Sequence, residues 1–303
     1  YGALWLRCGS GHPQGECLWL PVSSRKKFKG REAIAEKFHG LFAMLKVRVI
    51  PTLLWKDFGL VKGVGFDSWR RVGPVLPAIK VYNSRDVDEL ILVDITASRE
   101  GDVPDHDSIN DFAEECAVPL TVGGGITDLE QIVSLLYAGA DKVAINSAAY
   151  SHPSLIEAAA ARFGVQCVVA SIDARRFADG RYGCFSHSAT RDTGMNPVAW
   201  AKELESRGAG EILLTSIDRD GTMLGYDLDL VEQVTRAVAI PVIASGGAGN
   251  YQHMVDVIKN AGASAVAAAS IFHFTEQTPA GAKNALQAAG IPVRRNFVGC
   301  AIK

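Results

Sequence analysis

The chain has 303 residues, of which 48% are hydrophobic and 21% charged, and its formal net charge is -2. This length and apolar content suffice for one large core. A net charge this small does not indicate the basic surface that is typical of nucleic-acid binding. No apolar run reaches the roughly 18 residues that a membrane helix needs. The six cysteines show no metal or redox spacing, so we predict a cytoplasmic protein that holds neither a metal nor a cofactor.

The first 43 residues stand apart from the rest of the chain. They begin with Tyr1 and sustain neither the strand period nor the helix period. They also lack the ordered basic, apolar and small-residue regions of a secretory signal. We interpret residues 1–43 as a poorly ordered upstream extension or a mis-assigned start, with a partner-docking arm as the alternative. The main domain is then predicted to cover residues 44–297, followed by a C-terminal tail at 298–303.

Short apolar runs alternate with helical stretches through the main domain. The runs are rich in Val, Ile, Leu and Ala without polar alternation, as is typical of parallel strands buried on both faces. Eight such units predict an α/β fold, a (βα)8 TIM barrel, whose functional groups lie at the C-terminal ends of its strands. The predicted strands are 47–54, 90–94, 120–122, 142–145, 167–173, 212–216, 242–245 and 265–269. The predicted helices are 84–89, 108–116, 129–138, 153–163, 197–207, 228–238, 251–261 and 279–289, with a hairpin or lid at 60–66.

The barrel sequence contains an internal repeat. Leu-Val-Asp-Ile-Thr at 92–96 corresponds to Leu-Thr-Ser-Ile-Asp at 214–218, about 122 residues later. Thr-Val-Gly-Gly-Gly at 121–125 corresponds in the same way to Ala-Ser-Gly-Gly-Ala at 244–248. This period is too long for a solenoid unit, so we interpret it as the duplication of a half-barrel.

Glycine-rich turns follow related strands in the two halves and predict two phosphate sites. Glycine lets the backbone approach a ligand, and its amide can face an anion. The alternative for either turn alone is a tight connection between strand and helix, but the repetition favours a substrate with two phosphates. The predicted binding residues are Gly125, Asn146 and Ser147 in the first half, and Asp220, Gly221, Gly247, Ala269 and Ser270 in the second.

Carboxylates at strand ends are the candidates for proton transfer. Asp173 ends the fifth predicted strand, where a partly desolvated carboxylate is suited to acid or base catalysis; its alternative is an ion pair with Arg175 or Arg176. Asp94 ends the second strand and could instead cap a turn. The repeat predicts a further carboxylate at the end of strand one, but that position is Leu54.

From Val47 to Phe297 the chain resembles the cyclase subunit family of imidazole glycerol phosphate synthase. The resemblance is carried by Leu-Val-Asp-Ile-Thr-Ala-Ser, Thr-Val-Gly-Gly-Gly-Ile, Gly-Ala-Asp-Lys-Val-Ala-Ile-Asn and Leu-Leu-Thr-Ser-Ile-Asp-Arg-Asp-Gly-Thr. It implies that ammonia from a glutaminase subunit crosses the barrel, cleaves a bis-phosphorylated formimino ribonucleotide and closes an imidazole ring. It also implies two catalytic aspartates. Asp173 matches one of them, whereas Leu54 occupies the position of the other.

The region around Leu54 resembles a divergent branch of that family, associated with glycosyl amidation in surface-polysaccharide loci. We therefore predict an ammonia-using cyclase-type subunit that serves sugar amidation. The first alternative is the ordinary cyclase of histidine biosynthesis, with Asp57 replacing the missing acid and Lys62 holding a phosphate or polarising a carbonyl. Further alternatives are a related half-barrel sugar isomerase and a non-catalytic ammonia conduit.

Four charged residues near the N-terminal ends of strands match the ammonia gate of the same family: Arg48, Glu89, Lys142 and Glu211. Two acids and two bases can satisfy one another when buried, so a stabilising ring of ion pairs is the alternative. Asp141 would face a docked glutaminase. Because no Gly-x-Cys-x-Gly glutaminase motif occurs in the chain, we expect a separate glutaminase-type subunit and a heterodimer.

Overall fold

The computed structural model describes residues 46–57 and 59–294, so the predictions for residues 1–43 and 298–303 lie outside the described residues. Eight parallel strands form a closed ring in which the last strand pairs with the first, which confirms the predicted TIM barrel. The described residues contain no helix with the length and apolar character needed to span a membrane. The barrel strands are Arg48–Lys56 (β1), Leu90–Asp94 (β4), Leu120–Gly123 (β5), Lys142–Ile145 (β6), Val168–Arg176 (β7), Glu211–Ser216 (β10), Val242–Ser245 (β11) and Ala265–Ala268 (β12).

Helices surround the ring, and their ends follow local sequence signals. The side chains of Asp128 and Asn196 accept backbone N–H groups at helix N-termini, the N-cap positions that Asp and Asn favour. Pro197 follows in the first turn, where its missing N–H costs no helical hydrogen bond. The helices are Val75–Asn83 (α1), Ala97–Glu100 (α2), His106–Glu115 (α3), Leu129–Tyr137 (α4), Ser147–Ser151 (α5), Ser154–Phe163 (α6), Pro197–Ser206 (α7), Leu228–Thr235 (α8), Tyr251–Ala261 (α9), Ser270–Phe274 (α10) and Pro279–Ala288 (α11).

The first predicted helix was placed wrongly. Residues 84–89 form a turn that leads into β4, and the helix instead lies before them at Val75–Asn83. Pro77 is tolerated there because it stands in the first turn, where backbone N–H groups have no helical partner. The helix buries Ile79 and Tyr82 against the barrel. This burial outweighs the low helix propensity of a segment that contains Pro77.

Two antiparallel extensions project from the C-terminal ends of barrel strands. The predicted hairpin after strand one is present, formed by Gly59–Val64 (β2) and Asp67–Gly73 (β3), with β2 paired to β1. A second extension, Tyr182–Ser186 (β8) with Arg191–Asp192 (β9), pairs with β7 and was not predicted. Both extensions stand beside the mouth of the barrel, which is the edge where the strands end.

The interior of the barrel is closed by small and medium apolar side chains. Since alternate residues of a strand face opposite sides of the sheet, each strand sends some side chains inward and the others towards the helices. The inward set forms a core of its own, separate from the larger core between strands and helices. It consists of Ile50, Ile91, Ala144, Val169, Leu213, Ile243, Ala265 and Ala267, and it separates the mouth from the N-terminal floor of the barrel.

Candidate active site

The mouth of the barrel holds a cavity of about 1170 Å³ that is partly open to solvent. Its walls are the ends of strands from both halves and the β2–β3 hairpin. Leu54 lines it as well. The structure brings to this cavity eleven of the predicted site residues, namely Lys62, Asp94, Gly125, Asn146, Ser147, Asp173, Asp220, Gly221, Gly247, Ala269 and Ser270.

Asp173 is a buried carboxylate without a cationic partner in the described part of the chain. It lies near the end of β7 with 7% of its surface exposed, and it accepts a 2.6 Å hydrogen bond from Asn146 Nδ2. Burial, together with the negative charge of Asp220, raises the pKa of Asp173 to about 7. The group can therefore accept or release a proton near neutral pH.

The ion pairs suggested as an alternative for Asp173 are not formed. Arg175 Nε lies 3.7 Å from Asp218, and Arg176 Nη1 lies 3.7 Å from Asp229. Both pairs are largely exposed at the outer rim. The two arginines therefore leave the Asp173 carboxylate unpaired in the cavity.

Lys62 and Asp220 form a buried ion pair across the mouth. Lys62 Nζ lies 2.7 Å from each carboxylate oxygen of Asp220, and both residues are buried. The backbone adds a second link, because Gly65 N–H donates to the Asp220 carbonyl at 2.9 Å. The pair thereby attaches the β2–β3 hairpin to the loop after β10.

The carboxylates nearest to Leu54 in sequence have other surroundings. Asp57 lies in an exposed turn with φ 52° and does not line the cavity, so the structure does not bring the predicted substitute acid to the site. Asp94 does line the cavity. Its Oδ1 accepts hydrogen bonds from the Thr96 N–H at 2.9 Å, the Thr96 hydroxyl at 3.0 Å and the Ala97 N–H at 3.1 Å. Asp94 therefore caps the turn after β4, which is the alternative to a catalytic role.

The first glycine turn is tightly packed and lies beside several hydrogen-bond donors. Gly125 has φ 69°, and a Cβ there would lie 2.7 Å from the Asp102 carbonyl oxygen. The Gly125 N–H donates to Ser98 Oγ at 3.2 Å. Beside it, Asn146 precedes α5 and Ser147 begins it, so backbone and side-chain donors converge on one side of the cavity.

The second glycine turn is equally crowded. Gly247 has φ 104°, and a Cβ there would lie 2.2 Å from the Gly225 carbonyl oxygen. A Cβ on Gly221 would lie 2.2 Å from the Gly63 carbonyl oxygen in the hairpin. These glycines are required by the fold even without a ligand. Replacing them with bulky residues would therefore test packing before it tests phosphate binding.

Sequence reasoning missed several residues that line the cavity. Ser188 belongs to the β8–β9 extension, for which Asp-Gly at 179–180 between two apolar stretches is a hairpin signal. No comparable signal marks the others, whose places depend on how the hairpin and loops fold over the mouth. They are Trp69, Ser98 and Met223. Phe66 also lines the cavity and is the last residue of the predicted hairpin or lid.

The four charged residues at the floor form a closed ring. Arg48 contacts Glu89 at 2.7 Å and Glu211 at 3.1 Å. Lys142 contacts the same two acids at 2.8 and 3.1 Å. Although burial opposes it, the charges of Glu211 and Glu89 raise the pKa of Arg48. Each charge thus has two opposite partners, the arrangement that buried charges require.

Asp141 lies beside the floor ring on the exposed rim. Its Oδ2 accepts the N–H of Leu120, the first residue of β5, at 2.8 Å. The carboxylate therefore stabilises the start of a barrel strand. It also remains accessible from outside the floor.

Comparison with known proteins places this site in a family. A family profile described as Histidine biosynthesis protein matches residues 48–278. The chain is also similar to imidazole glycerol phosphate synthase subunit HisF of Hyphomonas neptunium (strain ATCC 15444), with 51% identity over 251 residues. That alignment covers 83% of this chain and 99% of the relative.

Proposed function

The chain belongs to the histidine biosynthesis protein family, and on this premise we propose that it is the cyclase subunit of an imidazole glycerol phosphate synthase. The observation that carries the proposal is a buried Asp173 that has no cationic partner among residues 46–57 and 59–294, in a cavity that has a glycine-rich turn in each half. The name of the HisF relative supports the same activity. The reaction is then of the lyase and cyclase type, on a substrate with two phosphates.

The proposed roles follow from the surroundings of each group. Asp173, with a pKa of about 7, takes the proton that ammonia must lose when its nitrogen bonds to carbon. Lys62, held by Asp220, supplies positive charge to an oxygen or phosphate of the substrate. The turns at Gly125 and Gly247 hold the two phosphates at opposite sides of the mouth.

We further propose that a glutaminase-type subunit covers the floor and forms a heterodimer with this chain. The support is the ring of Arg48, Glu89, Lys142 and Glu211 with the accessible Asp141 beside it. Above the ring lies the apolar interior core, from Ile50 to Ala267. Uncharged ammonia crosses such a layer far more readily than ammonium, because burying an unpaired charge is costly.

Sugar amidation in surface-polysaccharide biosynthesis is the second candidate, and Leu54 is the observation that favours it. Its apolar side chain lines the cavity where the family places a catalytic aspartate. Asp57 lies outside the cavity, and Asp94 Oδ1 already accepts hydrogen bonds from Thr96 and Ala97. A reaction that needs one carboxylate fewer would suit this mouth.

The test compares the chain with a Leu54→Asp variant, using ammonia and the histidine-pathway formimino substrate. As a cyclase, the chain forms the imidazole product slowly, and Leu54→Asp raises turnover by about 10²-fold or more, the usual contribution of an acid–base group. Asp57→Asn is the control and leaves turnover unchanged, because Asp57 is exposed outside the cavity. Absence of product with both the chain and Leu54→Asp, each folded, would refute the cyclase and leave sugar amidation.

A further inference from the structure

Three successive residues after β8 adopt a backbone conformation that non-glycine residues avoid. His187, Ser188 and Ala189 have φ values of 52°, 53° and 65°. Each such residue is strained, and the strain persists only where surrounding contacts hold it. We call residues 187–189 the mouth latch, because the Ser188 side chain lines the cavity.

The contacts of the mouth latch reach two other loops of the mouth. Ser188 Oγ donates to the Ile95 carbonyl at 2.7 Å, just after β4. The His187 N–H donates to Ser147 Oγ at 3.0 Å, at the start of α5. Thr190 Oγ1 closes the turn by donating to the His187 carbonyl at 2.7 Å. The strained turn therefore joins the β7 extension to the loops that follow β4 and β6.

The contact with the His187 N–H determines which hydrogen bonds the Ser147 hydroxyl can still form. A serine hydroxyl has one proton to donate and two lone pairs that accept. Because the His187 N–H occupies a lone pair of Ser147 Oγ, the hydroxyl proton is free to point elsewhere. It has no acceptor within residues 46–57 and 59–294, and Ser147 lines the cavity beside Gly125.

We propose that the mouth latch is a positioning element that turns the Ser147 hydroxyl into a donor for an anionic group, a phosphate, held beside Gly125. This inference rests on the proposed function, since it needs a phosphorylated ligand in the first half of the barrel. The contacts of Ser188 and Thr190 hold the mouth latch in place, so that the His187 N–H stays on a lone pair of Ser147 Oγ and the Ser147 proton remains available. The second-half turn at Gly247 is built from other elements and is independent of the latch.

The test titrates inorganic phosphate into the full chain and follows the backbone amide signals of Gly125 and Gly247 by ¹⁵N–¹H NMR. Ser188→Ala removes the bond to Ile95 and releases the latch. We expect phosphate affinity at Gly125 to fall about 3- to 10-fold, as for one lost hydrogen bond, with affinity at Gly247 unchanged. Ser151→Ala is the matched control, since that hydroxyl also donates to a backbone carbonyl, on the same helix α5.

A double variant shows whether the latch acts through Ser147. In a Ser147→Ala background, Ser188→Ala should cause no further loss at Gly125. If Ser188→Ala leaves phosphate binding at Gly125 unchanged, or weakens both sites equally, the latch is structural and the inference is wrong. If the unmodified chain binds no phosphate at Gly125, the inference and the proposed first-half site fail together. Binding by the unmodified chain with no effect of Ser188→Ala refutes the inference alone.

Discussion

The floor and the mouth of the barrel both contain buried charged residues, but they balance those charges differently. At the floor, Arg48 and Lys142 each contact both Glu89 and Glu211, so every charge is shared between two partners. At the mouth, Lys62 and Asp220 satisfy each other, while Asp173 has no cationic partner among the residues that the structure describes. A fully paired ring fixes geometry, whereas an unpaired carboxylate can change its protonation state. The unpaired carboxylate is therefore the group to which we assign the proton transfer of the proposed reaction.

The most direct test of this difference between floor and mouth is to remove the unpaired charge. Asp173→Asn keeps the size of the side chain but cannot accept a proton. We expect ammonia-dependent turnover to fall about 10²- to 10⁴-fold, while thermal stability is kept or rises because the buried, unpaired carboxylate at position 173 is replaced by a neutral group. Steady-state kinetics and thermal unfolding measure the two effects. Turnover within a few-fold of the unmodified chain would show that Asp173 is not the proton acceptor.

Lys62 tests whether a paired charge at the mouth also contributes to the reaction. Lys62→Met leaves Asp220 buried without its partner, and should cost about 3–5 kcal/mol of unfolding free energy and about 10²-fold in turnover. The matched control is Lys283→Met. Lys283 forms an equally buried pair with Asp88 at 2.7 Å, away from the mouth. We expect Lys283→Met to lose similar stability but to keep turnover per folded molecule; equal losses of turnover would make both pairs structural.

The pKa of Asp173 predicts how activity changes with pH. Since the proposed reactive form is the ionised base, kcat/KM should rise about tenfold per pH unit up to about 7 and then level off. The raised pKa has the opposite effect on stability. The contribution of Asp173 is fully present below its ordinary pKa of 3.8 and is lost as pH rises through about 7. Denaturant unfolding at about pH 5 and about pH 8 should show this slope, and Asp173→Asn should remove it.

The smallest effect on chemistry is expected at the floor. Lys142→Met should change ammonia-dependent turnover by less than about 2-fold, because the ring lies below the apolar interior core and away from Asp173. With a glutaminase subunit present, the same variant should uncouple glutamine hydrolysis from product formation. If stability and both activities fall in parallel, the four residues form a structural ring and the gate proposal is wrong.

The strands were predictable because a closed parallel barrel buries both faces of each strand. Val242–Ser245 and Lys142–Ile145 agree with prediction to the residue, since apolar runs of that kind have few other uses. The helix at Val75–Asn83 was missed because Pro77 reads as a helix breaker unless its place in the first turn is known. The β8–β9 extension was missed because the sequence signal there is a single Asp-Gly turn.

The candidate site was predictable where it follows from one strand end, and not where it depends on distant parts of the chain. Asp173 lies near the end of β7 and Ser147 shortly after β6, so the fold alone places them at the mouth. The pairing of Lys62 with Asp220 joins residues from a hairpin and a loop, and it requires the register of both. The same holds for Ser188, whose contact with Ile95 crosses between two elements.

The closure of the barrel by its first and last strands has a consequence for synthesis on the ribosome. Residues Arg48 to Pro51 of β1 pair with β12, which emerges about 200 residues later. At roughly 5–20 residues per second, this edge of β1 waits on the order of 10–40 s for its partner. An apolar strand with an unpaired edge is a template for other chains. The nascent protein is therefore most exposed to aggregation in this interval, and slow translation of the second half would lengthen it.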